Sequence, residues 1–287
     1  MKSSEERFLY PRERLTAKST MSDIPTKQTK NRSDISNEMF AVSKRVGMAI
    51  GDYDMIQEGD RIMVAVSGGK DSLSLLKLLH YRQSFAPVRY DILAVHLNVG
   101  IPGFPLDKLE KYFIGNHIPF HIQEVKELQN QDWKKITCFW CAWTRRKALF
   151  LLAEKLGYNK IALGHHMDDI VETILLNMFY NGEISTMRPK QELFDGKITL
   201  IRPLAYVKES MMRRMAQKEG MTDLDTFQCP QNESSKRMAI KTLLAQLERD
   251  NPSIKKNIFK SLTRVKQDYL LDDFREDDTH DESETQT

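Results

Sequence analysis

The chain has 287 residues, 40% hydrophobic and 29% charged, enough apolar material for one large domain with appendages. No stretch reaches the roughly 18–20 uncharged apolar residues of a membrane helix, and the charged opening MKSSEERFLYPRERLTAK lacks the apolar run of a secretory signal. Three cysteines exclude a disulfide scaffold and point to a reducing compartment, by default the cytoplasm. The formal net charge of +3 conceals an asymmetry: residues 272–287 hold eight acids and one arginine, leaving 42 basic against 32 acidic residues elsewhere. A body of that sign tolerates polyanionic partners without identifying one.

In chain order, residues 1–35 are rich in Ser, Thr, Lys and Arg with weak apolar periodicity, which predicts a flexible N-terminal extension. Helical spacing follows over 36–50. RIMVAV (61–66) predicts a buried strand running into a helix through KDSLSLLKLLH. Further strands are expected at 91–97, 117–125, 160–164 and 197–204, with helices over 142–156 and 168–180. Alternating strands and helices predict an α/β fold, an open parallel sheet with helices on both faces. This main domain is expected to span 36–233. Two basic amphipathic helices follow over 234–271, and 272–287 reads as a disordered acidic tail.

The most specific local signal is VAVSGGKDSL, residues 64–73. A strand enters Ser67-Gly68-Gly69 and a helix begins near Lys70, a junction that an α/β sheet puts at its ligand-binding carboxyl edge. Two glycines let the backbone turn sharply and come close to an anion. The helix N-terminus offers N–H groups and partial positive charge to phosphate oxygens, Ser67 and Ser72 offer hydroxyls, and Lys70 adds a full charge. Neither the Walker A spacing nor a dinucleotide G-x-G-x-x-G is present.

SGGKDS resembles the SGG-x-DS pyrophosphate loop of the ATP pyrophosphatase (PP-loop) superfamily, whose members cleave ATP between the α and β phosphates to adenylate a substrate oxygen. The resemblance implies that Ser67, Gly68, Gly69, Lys70, Asp71 and Ser72 bind ATP and that Asp71 helps place Mg²⁺. The loop alone does not choose among substrates.

Cys138 and Cys141 form TCFWCAW, and Cys229 stands apart in TFQCPQNESSKR. Thiolates two residues apart reach one metal centre. A zinc site would need a fourth ligand, with His165 or His166 nearest in the chain, and a thioredoxin-like redox pair is disfavoured after three strands. Taken together, GDRIMVAVSGGKDS (59–72), PGFP (102–105), Cys138-x-x-Cys141 with Arg145-Arg146, KIALGHHMDDIVETILLNMFYNG (160–182) and IRPLAY (201–206) are similar, in order, to the tRNA 2-thiocytidine biosynthesis family (TtcA) over roughly residues 36–237.

That resemblance implies a 4Fe–4S cluster on Cys138, Cys141 and Cys229, with one iron open for the transferred sulfur. It further implies ATP-dependent formation of 2-thiocytidine at position 32 of the tRNA anticodon loop. The sulfur would come from a cysteine desulfurase persulfide or from sulfide, and the enzyme would be a homodimer with no membrane association. Two departures stand out: Asn98 occupies a place where many relatives have an acid, and Thr226 one where relatives often carry another cysteine. GHHMDD shares the sheet edge with the glycine turn, so Asp168 and Asp169 are expected to cap the next helix and, with Lys70, to serve catalysis or ATP–metal binding. His165 and His166 are expected to be structural or to contact the nucleotide. Arg145, Arg146 and Lys147 are expected on tRNA phosphates, Trp140 and Trp143 as cluster shields. The basic stripes of the last two helices face solvent or the RNA backbone. The alternatives are a PP-loop enzyme thiolating another tRNA base or a small molecule, a cluster-free lysidine-type amidating enzyme, and a non-catalytic RNA-binding protein on the same fold.

Overall fold

The computed structural model describes residues 8–9, 35–129, 131–132, 135–221 and 236–270. Cys229, Thr226, most of 1–35 and the tail 272–287 lie outside them.

Seven strands form one sheet in the order β1-β4-β3-β2-β5-β7-β6. Five are parallel: β2 (Asp60–Ala65), β3 (Tyr90–Asn98), β4 (Phe120–Glu124), β5 (Lys160–Ala162) and β7 (Ile198–Ile201). These are the five expected strands, most of them shorter at their ends. Two antiparallel edges were not anticipated. β1 (Phe8–Leu9), within the segment expected to be flexible, pairs with β4. β6 (Lys190–Leu193) pairs with β7 across a turn in which Phe194, Asp195 and Gly196 all have positive φ. KQEL carries no apolar alternation, so its pairing comes from that FDG turn.

Strand alternation splits the core between two layers. Ile62 and Val64 of β2 and Ile92 and Ala94 of β3 face one side. There they meet α1 (Asn37–Asp52), α2 (Lys70–Arg82), α3 (Leu106–Gly115) and α6 (Glu209–Lys218). Met63, Leu93 and Val95 face the other side, against Leu149, Leu152 and Ala153 of α4 (Cys138–Leu156). A third cluster joins α5 (Met167–Tyr180) to α7 (Lys236–Asp250) through Val171, Ile174, Ile240 and Leu244, with α8 (Ile254–Ser261) packed alongside. α3 and α6 were not read from the sequence. Both are amphipathic but only ten residues long, a short window for a helical period, and they bury Leu109 and Phe113 in one and Met212, Met215 and Ala216 in the other.

At the amino ends of the strands a buried ion pair joins β2 to β5. Lys160 Nζ lies 2.7 Å from Asp60 Oδ2 and donates to the Met55 carbonyl at 2.7 Å. Asp60 also accepts from the Gln57 N–H and the Asn159 amide. At the carboxyl ends, β3 and β4 continue outward on one side of β2 while β5 and β7 continue on the other. The crevice between β2 and β5 is therefore the switch point where open α/β sheets bind ligands.

Candidate active site

The turn after β2 and the turn after β5 meet in that crevice. Gly68 has φ +91°, and a Cβ there would stand 2.8 Å from the Phe104 ring, which itself stacks on His96. Both the conformation and the space demand glycine. Gly69 caps α2 without a side-chain bond, leaving the first-turn amides unblocked for an anion. Ser72 Oγ accepts from the Ser67 N–H at 3.1 Å and donates to the Gly69 carbonyl at 2.9 Å, closing the turn on itself. Opposite, Gly164 packs so tightly that a Cβ would lie 3.1 Å from the Ser72 backbone nitrogen and Cα.

Beyond Gly164 the helix α5 starts differently from expectation. His166 is its N-cap: its ring nitrogen accepts from the Asp169 N–H, and the Asp169 carboxylate accepts from the His166 N–H at 2.8 Å. Asp168 takes no part in the cap. It is buried, accepts from the Glu209 N–H at 2.7 Å and pairs with Lys255 at 2.9 Å. Burial alone would raise its pKa, but the Glu209 N–H and Lys255 outweigh burial and hold it below the usual carboxylate range. Of the two expected catalytic aspartates, Asp169 lines a cavity of about 230 Å³ with Lys70, Asp71, His166 and Glu209, and Asp168 does not.

Asp71 is the most exposed to electrostatic conflict. Its Oδ2 lies 2.9 Å from Lys70 Nζ and 3.9 Å from His166 Nε2, while Oδ1 is buried with no hydrogen-bond partner. Burial raises its pKa in spite of Lys70. A buried carboxylate oxygen without a donor is the arrangement a cation relieves, so this donor fits Mg²⁺.

The opposite wall corrects the expectation of outward-facing basic stripes. Arg237 of α7 pairs with Asp169 and with Glu172, Lys241 reaches Glu172 and Glu209, and Lys255 of α8 holds Asp168. Lys236 lies over the Tyr180 ring, and Lys256, Lys260, Arg264 and Lys266 are exposed as expected. Glu209, which bridges Lys70 and Lys241, carried no sequence signal at all.

The cysteine pair opens α4 instead of preceding it. Thr137 is the N-cap, accepting from the Trp140 N–H at 3.2 Å, so the helix begins at Cys138. Cys138 and Cys141 thus stand three residues apart on one helical face. Cys138 is exposed, and Cys141 packs near Val99 and Val125 at the carboxyl ends of β3 and β4. Two accessible thiols on one turn form a soft donor set that suits iron–sulfur ligation. Cys229 falls outside the described residues, among which no group of three metal-ligating side chains occurs. Phe139, Trp140 and Trp143 around the pair are 81%, 38% and 52% exposed. Arg145, Arg146 and Lys147 follow on the same helix, exposed, with Lys147 over the Trp143 ring. Asn98 accepts from the Gly100 N–H through its side chain and turns the chain after β3. His165 is half-buried beside Arg202. Burial, reinforced by Arg202 and Arg237 against the pull of Asp169, brings it down to about 4, so it is neutral at pH 7.

Comparison with known proteins agrees with this geometry. The PP-loop domain family matches residues 40–244. The tRNA-cytidine(32) 2-sulfurtransferase of Herminiimonas arsenicoxydans is 44% identical over 235 residues, 80% of this chain and 73% of that protein. The enzyme of the same name from Burkholderia multivorans is 40% identical over 254 residues, covering 86% and 76%. Among solved structures, the U34-tRNA thiolase NcsA from Methanococcus maripaludis, described with its 4Fe–4S cluster, shares the fold with a TM-score of 0.63 at 22% identity, covering 79% and 78%. No helix among the described residues is long and apolar enough to cross a membrane.

Proposed function

The chain belongs to the tRNA-cytidine(32) 2-sulfurtransferase family, and on that premise we propose that it uses ATP to replace the carbon-2 oxygen of a tRNA cytidine, at position 32 of the anticodon loop, with sulfur. The observation that carries this reading is the meeting of the SGGKDS turn and the GHHMDD loop at one crevice, with a buried, unpartnered Asp71 oxygen between them.

Carbon 2 of a pyrimidine is a poor electrophile and its oxygen a poor leaving group. Attack of that oxygen on the α-phosphorus of ATP releases pyrophosphate and leaves an adenylated base. Sulfur then adds to carbon 2 and AMP departs with the original oxygen. Gly68, Gly69 and the α2 N-terminus receive the pyrophosphate, Lys70 offsets its charge, and Ser67 and Ser72 hold the turn in shape. Asp71 would hold Mg²⁺. Asp169 works at the cavity wall, and Asp168 ties α5 to α6 and α8. Cys138 and Cys141, with Cys229 as third thiolate, would hold the 4Fe–4S cluster, which when bound supplies an open iron site for an exogenous sulfur ligand. The sulfur originates as sulfide, or as a cysteine desulfurase persulfide whose terminal sulfur a thiol reductant brings to the sulfide level. Arg145, Arg146 and Lys147 bind RNA phosphates. The working form is a cytoplasmic homodimer.

Nucleoside mass spectrometry of tRNA from cells with and without the gene tests the proposal. We expect 2-thiocytidine only where the gene is present; equal amounts in both would refute it.

A further inference from the structure

Arg202 follows β7 directly and is 5% exposed. Its Nε donates to His165 Nδ1 at 3.4 Å and its Nη1 to the Arg188 carbonyl. Both acceptors are neutral. Nη2 has no acceptor, and no carboxylate lies within ion-pair distance, among the described residues. The other buried cation of this sheet, Lys160, has Asp60 at 2.7 Å as well as a carbonyl. Arg202 has the opposite neighbour. The Arg146 guanidinium of α4 adds a second positive charge, and burial first, then Arg146, brings Arg202 down to about 10. Burying a charge without a counter-charge costs several kcal/mol, and a second cation beside it adds to that cost. Such an arrangement persists where a ligand brings the missing negative charge.

Its position narrows the ligand. His165 contacts Arg202, and the next residue, His166, faces Asp71 of the glycine turn at 3.9 Å. Adjacent Cα atoms are about 3.8 Å apart. Through His165, Arg202 is therefore tied to the loop that faces the glycine turn, and the charge of Arg146 on α4 reaches it as well. The anions that reach this place are phosphates. A guanidinium with a free edge matches phosphate oxygens in geometry as well as charge.

We propose that Arg202 and Arg146 form a second anion subsite, separate from the glycine turn, that takes a phosphate oxygen of the bound substrates. This rests on the proposed function. The phosphate comes either from the nucleotide, as the α-phosphate that leaves in AMP, or from the RNA backbone beside the reacting base. Arg202 is a binding residue under both, and neutral His165 holds its guanidinium in place.

The test uses the full chain carrying R202M, R202K or R146Q, with three probes: AMP, inorganic pyrophosphate and unmodified tRNA. We expect pyrophosphate to bind all variants as it binds the native chain. Affinity for one other probe should fall about tenfold or more in R202M and R202K, the loss expected for one charge-assisted hydrogen bond. A loss confined to AMP assigns the nucleotide phosphate. A loss confined to tRNA, with a shallower dependence of affinity on salt, assigns the backbone phosphate. R146Q should weaken the same probe and, because Arg146 is also placed on RNA phosphates, tRNA in either case. In the ligand-free protein the Tm of R202M should match or exceed that of the native chain, because an unpaired buried charge is gone. Native affinity for both AMP and tRNA in the Arg202 variants would overturn the subsite. So would a lower ligand-free Tm with an unchanged ligand-induced gain, which marks a purely structural arginine. Should R202M not fold, R202K and R146Q carry the same binding arms. Thiolation by the native chain, measured alongside, reports on the proposed function independently of the subsite.

Discussion

The two ends of the parallel strands treat buried charge in opposite ways. At the amino ends, Lys160 and Asp60 close a network in which Met55, Gln57 and Asn159 supply the remaining partners. At the carboxyl ends, Asp71 keeps a buried oxygen without a donor, and Arg202 keeps a buried guanidinium without an acid among the described residues. A closed network stabilises the fold and has nothing left to offer a ligand. An open one is unfavourable in the ligand-free chain and favourable once a cation or an anion arrives. The closed end therefore holds β2 and β5 together, and the open end is where the proposed substrate sites lie.

Three substitutions sharpen or break that contrast. The largest effect falls at the open end: D71N should lower the rate of tRNA thiolation by about 10²–10³-fold, the usual loss when one preorganised electrostatic group is removed. Its Tm should be equal to or above the native value, since a buried carboxylate in an unfavourable setting is replaced by a neutral amide. A marked loss of Tm with activity retained would place Asp71 with the structural charges. At the closed end the expectation reverses. D60A strands Lys160 and should cost about 3–5 kcal/mol in denaturant unfolding, with thiolation per folded molecule unchanged. Reduced activity in the folded fraction would show that the two ends are not separable.

The smallest effect is expected between them, where Asp168 is buried but satisfied. K255M should lower stability by about 2 kcal/mol at pH 7, the scale of a hydrogen bond to a charged group. Asp168 has a depressed pKa in the folded chain, so its contribution is present above the ordinary carboxylate value of roughly 3.9 and is lost as pH falls through the lower folded value. The gap between native chain and K255M should accordingly narrow below about pH 4. A gap that is constant down to pH 3 would mean that Lys255 acts by packing and not through Asp168.

Parts of this site were legible before any fold was known because they are local. Ser67-Gly68-Gly69-Lys70 sits between a β-branched run and a helical period, and each residue's task follows from its neighbours in the chain. Cys138 and Cys141 were visible in the same way as a spaced pair, although the Thr137 cap moved the helix start to include them. What was misread depended on direction. Arg237, Lys241 and Lys255 occupy helical stripes that look solvent-facing in sequence, because periodicity gives a face its composition and not its partner. Only the packing of α7 and α8 against α5 turns those cations onto Asp169, Glu172 and Asp168. The aspartate pair was half misread for a related reason: Asp169 does cap α5, as the partner of His166 in the capping box, whereas Asp168 turns away to the Glu209 N–H and Lys255.

The order of strand and helix, the parallel sheet and the glycine turn at its carboxyl edge follow from the residues themselves, since apolar period, glycine placement and helix starts act over a few positions. Which charges find a counter-charge could be decided only in three dimensions. Asp60 and Lys160 are a hundred residues apart and meet, whereas Arg202 is left with His165 and a carbonyl, because electrostatic energy depends on distance and burial, and neither is a property of position along the chain.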